Sequence, residues 1–300
     1  MGSFVMGAPD DEFRRNLVID ENGSRLATPE DPFVKEDEGP QHEVTVDIRI
    51  AMGRNEITFD EWMACVNDGG CGGYVPESDI RFMGPEELVL GELYHERLVP
   101  LPSSKRIVEE MMLGSKVFPL RGRYPVFLVS YLDAQSYVAW LNDKLGTDAY
   151  RLPTEAEWEY GARAGTTTRF AQGFEVTSEQ ANFCGSATAF MLGEERPDLR
   201  CLNYPVPVDE LDAANPWGLR HMSGNIGEVT LSCYTERYEG WATTSEWLEK
   251  SFGESCKRTQ RGGGYISPMD VTRVAWRAPK NETYQTSFVG FRIVKELTAD

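Results

Sequence analysis

The first regular pattern in the chain is an alternation of apolar and polar residues over 42–50, and this period of two predicts a β-strand. A helical pattern follows it. Thr58 is a natural N-cap, and Glu61 stands three residues later, as a capping box requires. The apolar residues on one face of this segment are Phe59, Trp62, Met63 and Val66. The sequence therefore predicts a helix near 58–67.

Two further segments carry the same start signal. Ser130 is followed three residues later by Asp133, and Thr154 is followed by Glu157 in the same way. Gly165 provides a stop signal after the second of these segments. The predicted helices lie near 131–143 and 154–164.

The connecting segments show weaker patterns. The apolar residues of 125–130 predict a short buried strand. Residues 8–41 are acidic and rich in proline and glycine, which is typical of a long surface loop. Residues 72–122 are mixed in character, with one amphipathic helix predicted at 107–113.

The most specific motif lies near the C-terminus. It consists of Arg261-Gly262-Gly263-Gly264-Tyr265, then Arg273 and Arg277, then Gly290-Phe291-Arg292. Further motifs lie at 150–165 and 215–230. Together they resemble the formylglycine-generating enzyme, or sulfatase-modifying factor, family over roughly 2–70 and 123–295. The resemblance implies an irregular relative of the C-type lectin fold: a single loop-rich α+β domain over 1–300, with a family-divergent insertion at about 72–122.

Charged residues in these motifs have a structural interpretation. We expect Arg261, Arg277 and Arg292 to hydrogen-bond loop carbonyls. The glutamates at positions 155, 157 and 159 are explained by the favourable interaction of acidic residues with a helix N-terminus. Neither group requires a catalytic role.

The overall charge restricts the partners. The chain has 30 basic and 48 acidic residues, and its net charge of −18 argues against nucleic acid, whose phosphates need cationic neutralisation. No apolar run reaches the length of a membrane span, so no membrane insertion is expected. Residues 2–7 resemble the family's first strand, and no signal peptide is visible ahead of them, which leaves open an export signal removed before Met1.

Six cysteines allow fifteen pairings, and spacing alone does not choose among them. The suggested pairs are Cys65 with Cys71, Cys233 with Cys256, and Cys184 with Cys201. Disulfides favour a periplasmic or secreted protein. Six reduced thiols in the cytoplasm are the alternative. No C-x-x-C pair is present, which argues against a zinc knuckle.

The resemblance also implies structural calcium, which prefers oxygen ligands. One family site corresponds to Asn225 and Glu228, with the backbone of Ile226 and Gly227. Another corresponds to Asn182, with Asp209 nearby. In the alternative interpretation, the side chains at 225 and 228 only hydrogen-bond the loop backbone.

Copper is not expected. The family's oxidases hold Cu(I) with two cysteines after the glycine-rich turn, and Ser267 stands about where the first would lie. No cysteine occurs between Gly264 and Arg292. The histidines are too few and too scattered for the iron-binding triad of the related sulfoxide synthases, and a lone His221 is typical of a surface or hydrogen-bonding residue.

The sequence thus favours a formylglycine-generating-enzyme-like protein without oxidase activity, acting as a binding, accessory or maturation protein for an unknown protein or small-molecule ligand. The expected ligand-binding surface comprises Tyr265, Ser267, Met269, Trp276 and Arg277. Two alternatives stay open. One is a divergent metal-dependent oxidase or maturation enzyme, similar to the pyoverdine-maturation members of the family. The other is a variable ligand-binding protein of a diversity-generating retroelement, whose diversified side chains would lie between 265 and 287.

Overall fold

The computed structural model describes residues 1–9, 12, 37–76, 111–113, 116–118, 121–192, 195–238, 240–241, 243–253 and 255–297. Its helices are α1 (Phe59–Asn67), α2 (Tyr131–Leu145), α3 (Glu155–Arg163), α4 (Gly185–Leu192) and α5 (Glu246–Ser251). The strands are β1 (Gly2–Met6), β2 (His42–Val46), β3 (Ile50–Met52), β4 (Met111–Leu113), β5 (Lys116–Phe118), β6 (Tyr150–Arg151), β7 (Gly227–Cys233), β8 (Arg258–Arg261), β9 (Ala278–Lys280), β10 (Val289–Gly290) and β11 (Val294–Glu296). Among these residues, no helix has the length and apolar content needed to cross a membrane.

The three predicted capping boxes are all formed. The hydroxyls of Thr58, Ser130 and Thr154 each accept the backbone N–H three residues on, and the acidic side chain at that position accepts the N–H of the cap. Helices α1, α2 and α3 therefore begin where the sequence predicts.

The strands form small separate sheets within the described residues. β1 pairs with β2, and β4 pairs with β5, both antiparallel. Three strands are ordered β3-β11-β6, and four are ordered β10-β7-β8-β9. In the four-stranded sheet, β7 and β8 are antiparallel with an irregular register, and β10 runs parallel to β7. The fold is a mixture of helices and short open sheets, as the α+β prediction required.

Three local predictions were wrong. The strand expected at 42–50 is interrupted after Val46 and resumes at Ile50. Residues 125–130 are buried but form no strand: Leu128 has a left-handed φ of 58°, and its N–H bonds the carbonyl of Thr286. Residues 111–113 are β4 rather than helix, while 107–110 lie outside the described residues. Most of the surface loop expected at 8–41 and of the insertion at 72–122 also lies outside them.

An aromatic core joins α1 and α2 to the C-terminal motif. Trp62 is buried and stacks on Tyr137 with ring centroids 6.1 Å apart. Both rings meet Phe291 edge-on, at 6.4 and 5.6 Å. The indole N–H of Trp62 donates to the carbonyl of Tyr74 at 2.9 Å, which leaves no buried donor unpaired there.

The three suggested disulfides are all present: Cys65–Cys71, Cys184–Cys201 and Cys233–Cys256. They are compatible with an extracellular or periplasmic protein. The first closes the short turn after α1, the second ties α4 to the following loop, and the third closes the excursion between β7 and β8.

Candidate functional site

The glycine-rich turn after β8 requires its glycines. Gly262 and Gly263 have φ of 88° and 64°, in the left-handed region. A Cβ on Gly263 would lie 2.7 Å from the carbonyl oxygen of Val271. The turn therefore packs directly against the short 3-10 helix at Met269–Thr272, which follows it.

Arg261 lies at the centre of a buried ion cluster. Its Nη1 donates to Glu155 at 2.8 Å and its Nη2 donates to Glu159 at 2.5 Å, with all three side chains fully buried. Arg277 makes a bidentate pair with Glu155, both contacts being 2.7 Å. Arg163 supplies a further cation to Glu159. Glu155 and Glu159 of α3 are thus counterions of the C-terminal motif, whereas Glu157 pairs with Arg151.

Aromatic rings enclose the Arg277 guanidinium. Its central carbon lies 4.8 Å from the ring of Tyr234, 4.4 Å from that of Tyr238 and 5.7 Å from that of Trp241. Nη1 also donates to the carbonyls of Asp37 and Thr235. The guanidinium therefore has a structural role, fixing the excursion after β7 against the rest of the molecule.

The expected ligand-binding surface is only partly accessible. Tyr265 is fully buried and donates to the Ser287 carbonyl at 3.2 Å, while Met269 and Arg277 are also buried. Ser267 and Trp276 are half-buried and keep some exposure. Burial therefore restricts any ligand contact by these five residues to the last two.

Ser267 has an ordinary turn geometry. Its hydroxyl accepts the N–H of Gly264 at 3.1 Å, and its carbonyl accepts the N–H of Cys184 at 2.8 Å. The half-cystine of the second disulfide thus adjoins the closing turn. All six cysteines are in disulfides.

The residues proposed as one calcium site are already paired. Glu228 accepts two hydrogen bonds from Arg292, at 2.6 and 2.7 Å, and one from the Trp158 indole at 2.7 Å. The side-chain oxygen of Asn225 accepts the Val206 N–H at 2.8 Å. A guanidinium that occupies both carboxylate oxygens leaves no anionic ligand, so this set does not fit calcium. Of the two backbone positions of this set, Ile226 is buried in the core and Gly227 packs against the Gln260 side chain.

The second proposed calcium position has one open oxygen. The Asn182 amide donates to the Tyr204 carbonyl at 2.8 Å, while its own oxygen is buried without a hydrogen bond to the described residues. Asp209 lies at the surface and pairs with Arg123 at 2.7 Å. Among the described residues, no group of three or more His, Cys, Asp or Glu could hold a metal ion.

Two buried titratable groups lie beside the Glu228–Arg292 pair. Burial, assisted by the charge of Glu228, raises the pKa of Glu56 to about 8. Burial, together with the charges of Arg220 and Arg292, lowers the pKa of His221 to about 3. The nearby Val208 carbonyl opposes this second shift only weakly, and neither ring nitrogen has hydrogen-bond geometry to a described residue.

His221 corrects the expectation from sequence, because it is fully buried rather than at the surface. Its φ of 56° is left-handed. Sequence reasoning also missed Glu56, which follows Asn55 at the start of the first helix motif; no local pattern distinguishes it from an exposed acid.

The whole chain has relatives of known family. The sequence matches the Sulfatase-modifying factor enzyme 1-like domain over residues 2–297. The chain belongs to this family. Its fold is similar to that of PvdO from Pseudomonas aeruginosa, which is 27% identical, with a TM-score of 0.67 over 99% of this chain and 92% of that one. Variable protein 1 of Treponema denticola has a TM-score of 0.58 over 98% and 95% of the two chains; at 17% identity it shows the fold alone.

Two relatives of this chain found by sequence similarity illustrate how much of each protein it covers. The serine/threonine-protein kinase pkn1 of Chlamydia caviae is 29% identical over 203 residues, which are 67% of this chain and 28% of that protein. The formylglycine-generating enzyme of Mycobacterium tuberculosis is 28% identical over 186 residues, 59% of this chain and 58% of that protein. The chain therefore spans less than two thirds of the length of either.

Proposed function

We propose that this family member is a periplasmic or secreted accessory or maturation protein that binds its partner without thiolate–copper oxidation. The observation that carries the proposal is the state of the sulfur atoms. The closing segment from Gly264 to Arg292 has no cysteine, and the cysteines elsewhere are joined in disulfides. Cu(I) prefers thiolate ligands, whereas the Ser267 hydroxyl is a hard, neutral donor that is engaged by the backbone.

The similarity to PvdO extends over 99% of this chain, so the two proteins share the fold of the whole chain rather than of one segment. The alternative of a divergent metal-dependent enzyme would require a reactive group elsewhere. The buried arginine–glutamate pairs do not supply one, since each guanidinium is held by carboxylates away from solvent. A retroelement variable protein is favoured by the fold alone.

Oxidation is tested with a peptide that contains the C-x-P-x-R sulfatase motif. The oxidised protein is incubated with the peptide, Cu(I) and oxygen, and the peptide mass is measured. We expect no change in mass, because no thiolate pair is available. The Mycobacterium tuberculosis relative serves as the positive control. An aldehyde product that disappears when copper is chelated would contradict the proposal.

Binding is tested with a photo-crosslinking amino acid at Trp276, the most accessible aromatic position of the expected surface. The matched control places the same amino acid at Leu145, which is 54% exposed at the end of α2. Crosslinking in the native host is expected to give a discrete adduct from position 276 and none from position 145. Adducts of equal yield from both positions, or from neither, would argue against a ligand at the closing motif.

A further inference from the structure

Both half-cystines of the Cys233–Cys256 disulfide are partly accessible, whereas each of the other two disulfides has at least one buried half-cystine, Cys65 or Cys184. Cys233 ends β7 and Cys256 lies just before β8, and both residues are half-buried. By contrast, Cys65 is fully buried and Cys71 is 5% exposed. A thiol from solution can therefore approach the third disulfide more readily than the first.

A fixed cation contacts this disulfide. Arg258 lies opposite Cys233 in the β7–β8 register, and its Nη1 donates to Cys233 Sγ at 3.7 Å. The same nitrogen is held by the carbonyls of Leu231, at 2.7 Å, and Ser251, at 3.0 Å. The guanidinium also stacks on Tyr131 at 4.2 Å. It cannot leave the sulfur without breaking these contacts, and a neighbouring cation stabilises a thiolate.

Other charges surround the pair unevenly. Glu282 accepts from Arg258 at 2.7 Å and from the Ser255 hydroxyl at 3.2 Å, so its carboxylate opposes a thiolate here. Lys257 is exposed and stands between Cys256 and Arg258 in the sequence. Lys280 lies opposite Arg258 on the neighbouring strand β9. The contact of Arg258 with the Cys233 sulfur is direct, at 3.7 Å, and Coulomb interaction is strongest at short range.

We propose that Cys233–Cys256 is a site of reversible thiol–disulfide exchange, at which an external thiol becomes joined to Cys256 and Cys233 leaves as a thiolate beside Arg258. The incoming thiolate forms a bond to Cys256 Sγ, and the electron pair of the old S–S bond moves to Cys233 Sγ. A second external thiol then attacks the mixed disulfide, which frees the Cys256 thiolate and forms the external disulfide. The direction follows from the leaving group, because the sulfur with the more stable thiolate departs faster.

The test uses reduced glutathione as the probe. The native, fully oxidised protein is incubated with it, free thiols are alkylated at intervals, and peptides are mapped by mass spectrometry. We expect glutathione on Cys256 and an alkyl group on Cys233 before any change at Cys65 or Cys71. Modification of Cys65 and Cys71 at the same rate, or glutathione on Cys233 rather than Cys256, would overturn the proposal.

Two variants separate electrostatics from loosened packing. Arg258→Met removes the cation and is expected to slow exchange roughly threefold or more. Glu282→Gln removes the opposing carboxylate and is expected to accelerate it. If the variants acted by loosening the packing, exchange would be faster in both Arg258→Met and Glu282→Gln, and that result would also overturn the proposal.

A measurement on the wild type covers the case in which Arg258→Met does not fold. After selective reduction, the alkylation rate of Cys233 is followed against pH. The pH at which this rate is half-maximal is expected to lie clearly below about 8.5, the ordinary pKa of a cysteine thiol. A midpoint at or above that value would refute the role of Arg258.

Discussion

Replacing His221 with asparagine is expected to remove a large part of the protein's acid sensitivity. The ring is fully buried, and its pKa is lowered from 6.5 to about 3 by burial and by the charges of Arg220 and Arg292. The folded state therefore keeps the ring neutral where the unfolded chain takes up a proton. Stability from this group is present above pH 6.5 and is lost as the pH falls towards 3.

The magnitude follows from the two pKa values. A pH of 5 is 1.5 units below 6.5, the pKa of the histidine in the unfolded chain, so the unfolded histidine is protonated at this pH while the folded one is still neutral. At about 1.4 kcal/mol per unit, the wild type loses about 2 kcal/mol between pH 7 and pH 5 through this residue. Asparagine has no such titration, and it tolerates the left-handed φ of 56° at position 221.

The assay is urea unfolding of both proteins at pH 7, 6 and 5, comparing the difference in unfolding free energy at each pH. The substitution by asparagine weakens core packing equally at every pH. The prediction therefore concerns how the difference in unfolding free energy between the two proteins changes from pH 7 to pH 5. Met222→Leu is the matched control, because it perturbs the same buried segment without a titratable group. A difference that stays constant from pH 7 to pH 5 would show that the folded protein protonates His221 normally, and would refute the reasoning.

Further predictions concern the ion pairs, the caps and calcium. Arg261→Met removes one cation from each of two buried carboxylates, Glu155 and Glu159, and is expected to cost about 3 kcal/mol or more in urea unfolding, whereas Arg196→Met, at a surface pair, is expected to have little effect. Thr154→Ala removes the α3 cap and is expected to cost about 1 kcal/mol, measured in the same way. Calcium, if bound beside Asn182 as the family resemblance implies, raises the melting temperature of the wild type but not of Asp209→Asn; equal shifts in both would exclude that carboxylate as a ligand.

Local signals were sufficient for α1, α2 and α3, whereas α4 and α5 have no capping box in the sequence and were not predicted. A capping box involves residues three positions apart, so Thr58 with Glu61 and Ser130 with Asp133 define the helix starts without tertiary information. The failure at 125–130 has the opposite cause. The segment is apolar and mostly buried, yet its backbone bonds Ile57 and Thr286 in separate loops, and its pairing within the described residues is the isolated bridge between Pro125 and Thr58. The run of apolar residues therefore indicated burial correctly, but it did not distinguish a buried loop from a buried strand.

The ion cluster could not be derived from local pattern. Glu155 is 106 residues from Arg261 and 122 from Arg277, so the pairing depends on the fold. The helix dipole explains the α3 glutamates only in part, because two of them also pair with arginines of the C-terminal motif. Hydrogen bonds to loop carbonyls likewise explain those arginines only in part, because they also pair with carboxylates. The local sequence of α3 also points the other way. Four of its nine residues are charged, which is typical of a helix with an exposed face, yet eight of the nine are buried. Buried acidic residues require partners, and these lie elsewhere in the fold.

The buried cluster also shows what the family motif does and does not report. The motif residues that make the resemblance specific, such as Arg261, Gly263 and Arg292, are buried and engaged in holding the turn and the sheet. They report on the scaffold, which sets the fold whatever chemistry is attached to it. Chemistry with a ligand or an external thiol requires accessible positions, and Ser267 at the closing turn and Cys256 are both half-buried. These positions lie outside the buried arginines and glycines of the motif, so the motif that identifies the family does not determine their chemistry.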